Sequence, residues 1–447
     1  MSTSLLRLAE HAASWRHRDL PPALAQHARR ALLDWFAALL PGCRMPPATL
    51  MAPALASARG GGHAIAYVDG QAGALRHAAL LNGVAAHAAE FDDIYRDAGY
   101  HPGAPTIAAA LAAAQEIGAD MPALLRAIIA GYEVSCRIGL AVQPSHYRYW
   151  HITGTVGTFG AAAAVAVLRG LDATQTAHAL ASAATMAAGL QQAFRGDGMS
   201  KPIHSGHAAE AGALAAIMAG AGVIGALDVL DGPVGFAAAT SASRGDWDRA
   251  LAGLDERFAI SAMTFKNHGC CGHIFAALDA VRHLKQAHGF TPQDLTRIAI
   301  GGYGPTKDIC DRPEARTPAE ARFSAQYCVA ALLHLGGVRL AAFEPGTLAD
   351  SAIRATMAKV SVALDPELAA GYPVQRAARV AITLRDGRQL HHLQPTRKGD
   401  PELPLSDDEL DEKFFELARP VIGDAAARTL HATLRSSDAL PGVLPLI

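Results

Sequence analysis

The sequence predicts a mainly α protein: a large all-helical domain with a smaller α+β domain inserted into it. Three observations carry this. Alanine-rich segments punctuated by Gly and Pro fill the chain from residue 1 to about 260. Alternation of apolar and polar residues begins only after Phe265, and helical texture returns beyond about 395. Alanine is the best helix former, Gly and Pro delimit helices, and period-two alternation marks half-buried strands. At roughly 100–200 residues per domain, 447 residues suit two domains. They are expected at 1–265 together with 396–447, and at 266–395. With 51% hydrophobic residues, a large core is feasible.

In order along the chain, "LPPALAQHARRALLDWFAALL" places Leu24, Ala28, Leu32, Phe36 and Leu40 four apart, an amphipathic helix. Asp120 and Asp172 stand where N-caps belong before the next helical runs. Ala211–Leu227 is the most apolar uncharged stretch and contains four glycines. It is short for a membrane span and reads as a buried helix pair. "LTRIAIGGY", "KVSVALD" and "ARVAITLRDGRQLHHLQP" read as strands, the last a hairpin about Asp386-Gly387. "PAEARFSAQYCVAALLHLG" is helical, and Ser406 with Glu409 forms a capping box for the final helices.

Lys plus Arg number 39 against 41 Asp plus Glu, with no basic stripe or acidic tail, so nucleic acid and membrane are poor partners. Arg7, Glu10, Arg16 and Arg18 interrupt the N-terminus too early for a signal peptide. Six cysteines without a C-x-x-C pair argue against structural zinc or an iron–sulfur cluster and fit a reducing cytoplasm.

Five stretches concentrate polar chemistry. "HAAEFDDIYRDAGYHPGAP" holds Glu90, Asp92, Asp93, Asp97 and His101. Its carboxylates can hold a divalent cation or simply be a solvated, helix-capping loop. "HITGTVG" sets His151 beside Thr153, Gly154 and Thr155 at a helix start, where free N–H groups favour an anion. A core histidine beside a capped helix accounts for it equally well. "KPIHSG" brings Lys201 and His204 to another helix start, although Lys201 by itself reads as a surface lysine. "FKNHGCCGH" contains Lys266, His268, Cys270, Cys271 and His273. Its spacing fits no standard zinc site, and a cysteine nucleophile is a further option, but extra cations at the domain junction fit better. "SAQY" puts Ser324 and Tyr327 on one helix face, where a tyrosine can also be core.

In this order and at these separations, "EFDDIYRDAGYHPG", "HITGTVG", "KPIHSG", "KNHGCCGH" and "SAQY" resemble the motifs of the MmgE/PrpD family, as does "KGDPELPLSDDELDEKF" near the C-terminus. The resemblance spans nearly the whole chain. That family includes 2-methylcitrate dehydratase, cis-aconitate decarboxylase and iminodisuccinate epimerase. The resemblance implies a helical domain built from both chain ends and an inserted α+β domain like chorismate mutase, with the active site in the cleft between them. It also implies a homodimer, no metal and no organic cofactor.

The resemblance further implies a small di- or tricarboxylate substrate that reacts through a carboxylate-stabilised carbanion. His101, His151, Lys201 and Tyr327 match the family's catalytic positions. Glu90, Asp93, Thr153, Thr155, His204, Lys266 and His273 match, or lie beside, its substrate contacts. The two histidines are expected to move protons, Lys201 to bind a carboxylate or act as an acid among cationic neighbours, and Tyr327 to donate a proton or hydrogen bond. Two departures stand out. Ile94 replaces a threonine of the dehydratase and decarboxylase pattern, and His268-Gly269 replaces Tyr-Pro. A lost hydroxyl alters selectivity for hydroxylated substrates. The expected activity is therefore a cofactor-independent lyase of the dehydratase or decarboxylase type. A two-base epimerase, to which Tyr147 or Tyr149 could contribute, is the alternative. A non-catalytic carboxylate-binding protein is a second one.

Overall fold

A computed structural model describes residues 4–194 and 198–447. It is mainly α and divides into two compact units, residues 1–264 with 406–447, and residues 265–405. The stretch 396–405 belongs to the second unit, where Phe265 N donates to Gly399 O (3.1 Å) and Lys398 N to Asp279 Oδ2 (2.8 Å). Among the described residues no helix is long and apolar enough to cross a membrane.

The first unit is built on α1 (Pro22–Gly42), α2 (Leu75–Ala88), α3 (Gly103–Ile117), α4 (Met121–Val142), α5 (Ile152–Leu168), α6 (Ala173–Met186) and α7 (Ser200–Gly220). Asp120 caps α4 by accepting from Ala123 N (2.9 Å), and Asp172 caps α6 in a capping box with Gln175. Helix α7 packs on α2 and α5 through small residues. A Cβ at Gly206 would lie 2.4 Å from Leu80 O, and one at Gly212 2.4 Å from Thr158 O. Only glycine permits that approach, which brings the start of α7 to the end of α2.

Helix α7 ends at Gly220, so the helix pair expected over Ala211–Leu227 does not form. Glycines at 220, 222 and 225 break it, and Ile224 is 77% exposed. The C-terminal segment returns to this unit, as the resumed helical texture predicts, and packs on α1.

In the second unit, β1 (Leu295–Gly302), β2 (Val360–Leu364), β3 (Ala378–Leu384) and β4 (Gln389–Gln394) form one sheet in the order β2-β1-β3-β4. β1 and β2 are parallel and the other pairs antiparallel. The β3–β4 hairpin turns at Asp386-Gly387, with Gly387 at φ +87°. Helices α8 (Phe275–His288) and α9 (Ala325–Leu335) pack against each other, α8 on β3 and β4 and α9 on β2. α10 (Asp407–Ser436), which belongs to the first unit, opens with the Ser406–Glu409 capping box and is kinked at Gly423.

Candidate functional site

The site assembles in the helical unit around the end of α2. His87 occupies the last turn of that helix, and Glu90 follows with φ +62°, a left-handed backbone that a glutamate rarely adopts. The turn folds Phe91, Asp92 and Asp93 into the protein, all buried. It is anchored from below by Lys413 of α10, whose buried ammonium donates to Phe91 O (2.8 Å) and to Asp34 Oδ1 of α1 (2.5 Å). The Glu90 carboxylate pairs with the Lys201 ammonium. Lys201 lies in the first turn of α7, the end of a helix that favours anions. A cation there is misplaced for the helix, and the carboxylate across from it compensates. The expected cationic setting of Lys201 is thus modified by a direct anionic partner.

Four imidazoles run through the site. Asp92 Oδ2 lies 2.6 Å from His87 Nδ1 and 3.2 Å from His101 Nδ1. The His87 ring stacks on His151 (centroids 5.4 Å, planes 20° apart) and meets His101 edge-on at 5.0 Å. His151 Nδ1 is 3.0 Å from His204 Nδ1, so one of the two donates and the other accepts. Burial holds His87 down to about 4, against which Asp92 only partly works. Burial also puts His151 well below the ordinary histidine range, and His87, Lys201, His204 and His101 push the same way. His204 is lowered by burial, His207 and Lys201. Near neutral pH, His87, His151 and His204 are therefore uncharged imidazoles.

Helix α5 starts at this cluster with His151 as its N-cap residue. A Cβ at Gly154 would lie 2.4 Å from Ala188 O, so the glycine lets the 188–190 segment close over the helix start. There Gly189 O accepts from His151 N (3.0 Å). Thr153 Oγ1 accepts from His101 N (3.4 Å), joining two motifs 52 residues apart. Two residues expected at the substrate are engaged inside the framework. Thr155 Oγ1 lies 2.8 Å from His146 Nε2. Asp93 accepts from Gly103 N (3.0 Å) and Tyr132 Oη (2.7 Å). Burial and Asp34 push Asp93 up to about 8, so it is largely a neutral acid that fixes the start of α3.

Lys266, His273 and Tyr327 belong to the second unit. Lys266 is buried. His273 Nδ1 is 2.8 Å from Tyr303 Oη, and burial with Arg376 and Arg397 holds it well below the ordinary range. Tyr303 stacks on Tyr372 at 4.8 Å. Tyr327 is fully buried, its hydroxyl donates to Ala342 O, and burial pushes it up to about 12. Cys270 is also fully buried, and its thiol lies well above the usual range, which disfavours the cysteine-nucleophile option. A cavity of about 610 Å³ in this unit is lined by Arg316, Thr317, Leu348, Arg354 and Met357 among others, and by none of the expected site residues.

Among the described residues, His87, Asp92 and His101 could hold a metal, their donor atoms lying within 4.8 Å of one another. Two ligands on one ion with bonds of about 2.1 Å stand about 3 Å or more apart. The 2.6 Å between His87 and Asp92 is instead a direct hydrogen bond. The donor set fits the hydrogen-bonded arrangement better than a metal. His87 escaped sequence reasoning because a histidine on an apolar helix face reads as core; its position five residues before Asp92 was the available signal.

Residues 6–247 match the model of the MmgE/PrpD N-terminal domain and residues 268–438 that of the MmgE/PrpD C-terminal domain. The chain is similar to the cis-aconitate decarboxylase-like protein oryM of Aspergillus oryzae, 27% identical over 96% of this chain and 93% of that protein. It is 30% identical to the cis-aconitate decarboxylase of Homo sapiens over 81% of this chain and 77% of the human protein. The Mus musculus cis-aconitate decarboxylase is 29% identical over 76% of this chain and 70% of its own length.

Proposed function

The chain belongs to the MmgE/PrpD family, and from that premise we propose that it is a lyase removing carbon dioxide or water from a small di- or tricarboxylate. The observation that carries this reading is the cluster of His87, His101, His151 and His204 beside the Lys201–Glu90 pair. Loss of carbon dioxide, or of water after α-proton removal, builds negative charge next to a carboxylate. Such a step needs a cation, a base and a proton donor held together. Lys201 supplies the cation that binds a substrate carboxylate. His101 and His151 exchange the proton. Glu90 holds Lys201 in place until substrate binds, and Thr153 orients the His101 backbone. No organic cofactor takes part, and the enzyme works as a homodimer.

A two-base epimerase is the second reading, favoured by one observation. Ile94 is buried and paired in a short strand with Thr264, which puts an aliphatic group where the lyase pattern carries a threonine hydroxyl.

Proton NMR in D₂O separates the two. The protein is mixed in turn with cis-aconitate, citrate, 2-methylcitrate and iminodisuccinate, with Lys201→Ala as control. Appearance or loss of vinyl signals supports the lyase. Loss of an α-proton signal with the carbon skeleton unchanged overturns it in favour of the epimerase. Binding without either change overturns both.

A further inference from the structure

We propose that Asp92 is the positioning residue of this site, a single carboxylate that orders His87 and His101 and sets which nitrogen of His101 faces the reaction. The inference rests on the proton-transfer role given to His101 above and names the group that makes the role possible.

Asp92 is almost completely buried on the turn after α2. Its Oδ2 faces the Nδ1 atoms of two imidazoles, His87 at 2.6 Å and His101 at 3.2 Å. An ionised carboxylate only accepts hydrogen bonds, and a neutral imidazole carries one N–H and one lone pair. His87, which hydrogen-bonds Oδ2, must therefore carry its proton on Nδ1. His101 Nδ1 makes no hydrogen bond but faces the same oxygen at 3.2 Å, where a proton is favoured over a lone pair, so each ring keeps its lone pair on Nε2. The two Nε2 atoms then have different surroundings. That of His87 is buried and has no hydrogen-bond partner among the described residues, and its ring lies flat on His151. His101 keeps some exposure, with 15% of its side chain accessible. Of the two, only His101 can offer its lone pair to an incoming substrate.

The carboxylate beside its Nδ1 holds the His101 ring in one orientation. His87 is the second strut, since its ring contacts both His101 and His151 while its N–H holds the carboxylate. The charged and titratable groups around the pair are Glu90 and Asp93 on the same turn, His87 on α2, His151 on α5, and Lys201 and His204 on α7.

The test is Asp92→Asn in the full-length protein, read in two ways. The first needs no substrate. Long-range ¹H–¹⁵N spectra of histidine-labelled protein are expected to show His87 and His101 as Nδ1–H tautomers in the wild type. In Asp92→Asn, His101 is expected to shift toward the Nε2–H form. An Nε2–H tautomer for His101 in the wild type overturns the proposal. The second reading uses whichever substrate the panel above identifies. The variant is expected to lose about 100-fold or more in kcat, with KM within about threefold. A merely structural carboxylate would lower stability without changing the His101 tautomer, and kcat within about threefold of wild type overturns the proposal. If no substrate turns over while the wild-type tautomers are as expected, the lyase reading fails and the positioning role of Asp92 stands.

Discussion

In the helical unit side chains meet side chains: Glu90 pairs with Lys201, and Asp92, His87, His101, His151 and His204 form a chain of contacts. In the α+β unit, Tyr327, Lys285 and Arg322 point their donors at the backbone carbonyls of Ala342, Leu333 and Gly269. A side chain bonded to a carbonyl pins the backbone and has nothing to exchange a proton with. Titratable side chains facing one another can redistribute protons and respond to an arriving charge. The difference is the reason for placing the proposed proton transfer in the helical unit. The second unit has side-chain pairs of its own, among them His273 with Tyr303, buried Arg397 with Asp400, and the stacked His283 and His392.

The largest break in this comparison is expected at Lys201. Lys201→Ala removes the cation and leaves the Glu90 carboxylate to repel the substrate's charge. Turnover should fall by roughly 10³-fold, as for removal of a principal charge-stabilising group, and steady-state kinetics with the substrate found by NMR checks it. Full activity would move the chemistry away from this cluster. Next comes the foundation under the turn. Lys413→Met removes the ammonium partner of the buried Asp34 carboxylate and the donor to Phe91 O. Losing one partner of a buried ion pair costs about 3–5 kcal/mol. Denaturant unfolding should register that cost, and kcat should fall as the turn carrying Glu90 and Asp92 loosens.

The same contrast explains what could be read in advance. Asp120, Asp172 and Ser406 cap helices through contacts three residues away, and Asp386-Gly387 turns a hairpin within a few residues. Those contacts are local, so sequence spacing reveals them. His101, His151 and Lys201 could be placed because motif order implied them. The links that make them one site are not local. Asp34 meets Lys413 across 379 residues and Glu90 meets Lys201 across 111. The left-handed Glu90 and the role of His87 follow only once α2 and α7 are packed. Asp93 is expected at the substrate because it lies in the acidic motif, and the fold turns it toward Gly103 and Tyr132.

The pH dependence of stability separates the two kinds of buried acid. His87 sits at about 4 in the folded protein against 6.5 unfolded, as do His11 and His146. Between those values the unfolded chain binds more protons, so stability falls as pH drops from 6.5 toward 4. Asp93, raised to about 8 from 3.8, has the opposite sign. The folded state holds its proton, and stability declines as pH rises toward 8. The melting temperature should therefore peak near pH 6.5. Asp93→Asn should flatten the decline from 6.5 to 8, worth about 2 kcal/mol at 1.36 kcal/mol per pH unit. A melting temperature that stays level between pH 6.5 and 8 in the wild type would mean Asp93 is ionised.

The smallest expected effect sharpens the comparison most. Tyr327→Phe keeps the ring and its packing in the second unit and deletes one hydrogen bond to Ala342 O. The net cost of such a bond is about 1 kcal/mol, which thermal unfolding can resolve against the wild type. The geometry gives the hydroxyl a structural partner, and the stability loss should appear whatever the substrate. Turnover decides the rest. If kcat/KM at a temperature well below the melting point changes only slightly, Tyr327 is scaffolding like Lys285 and Arg322. If kcat falls about 100-fold with the fold intact, the hydroxyl leaves Ala342 during the reaction. Tyr327 would then belong with His101 and His151 in spite of its resting hydrogen bond.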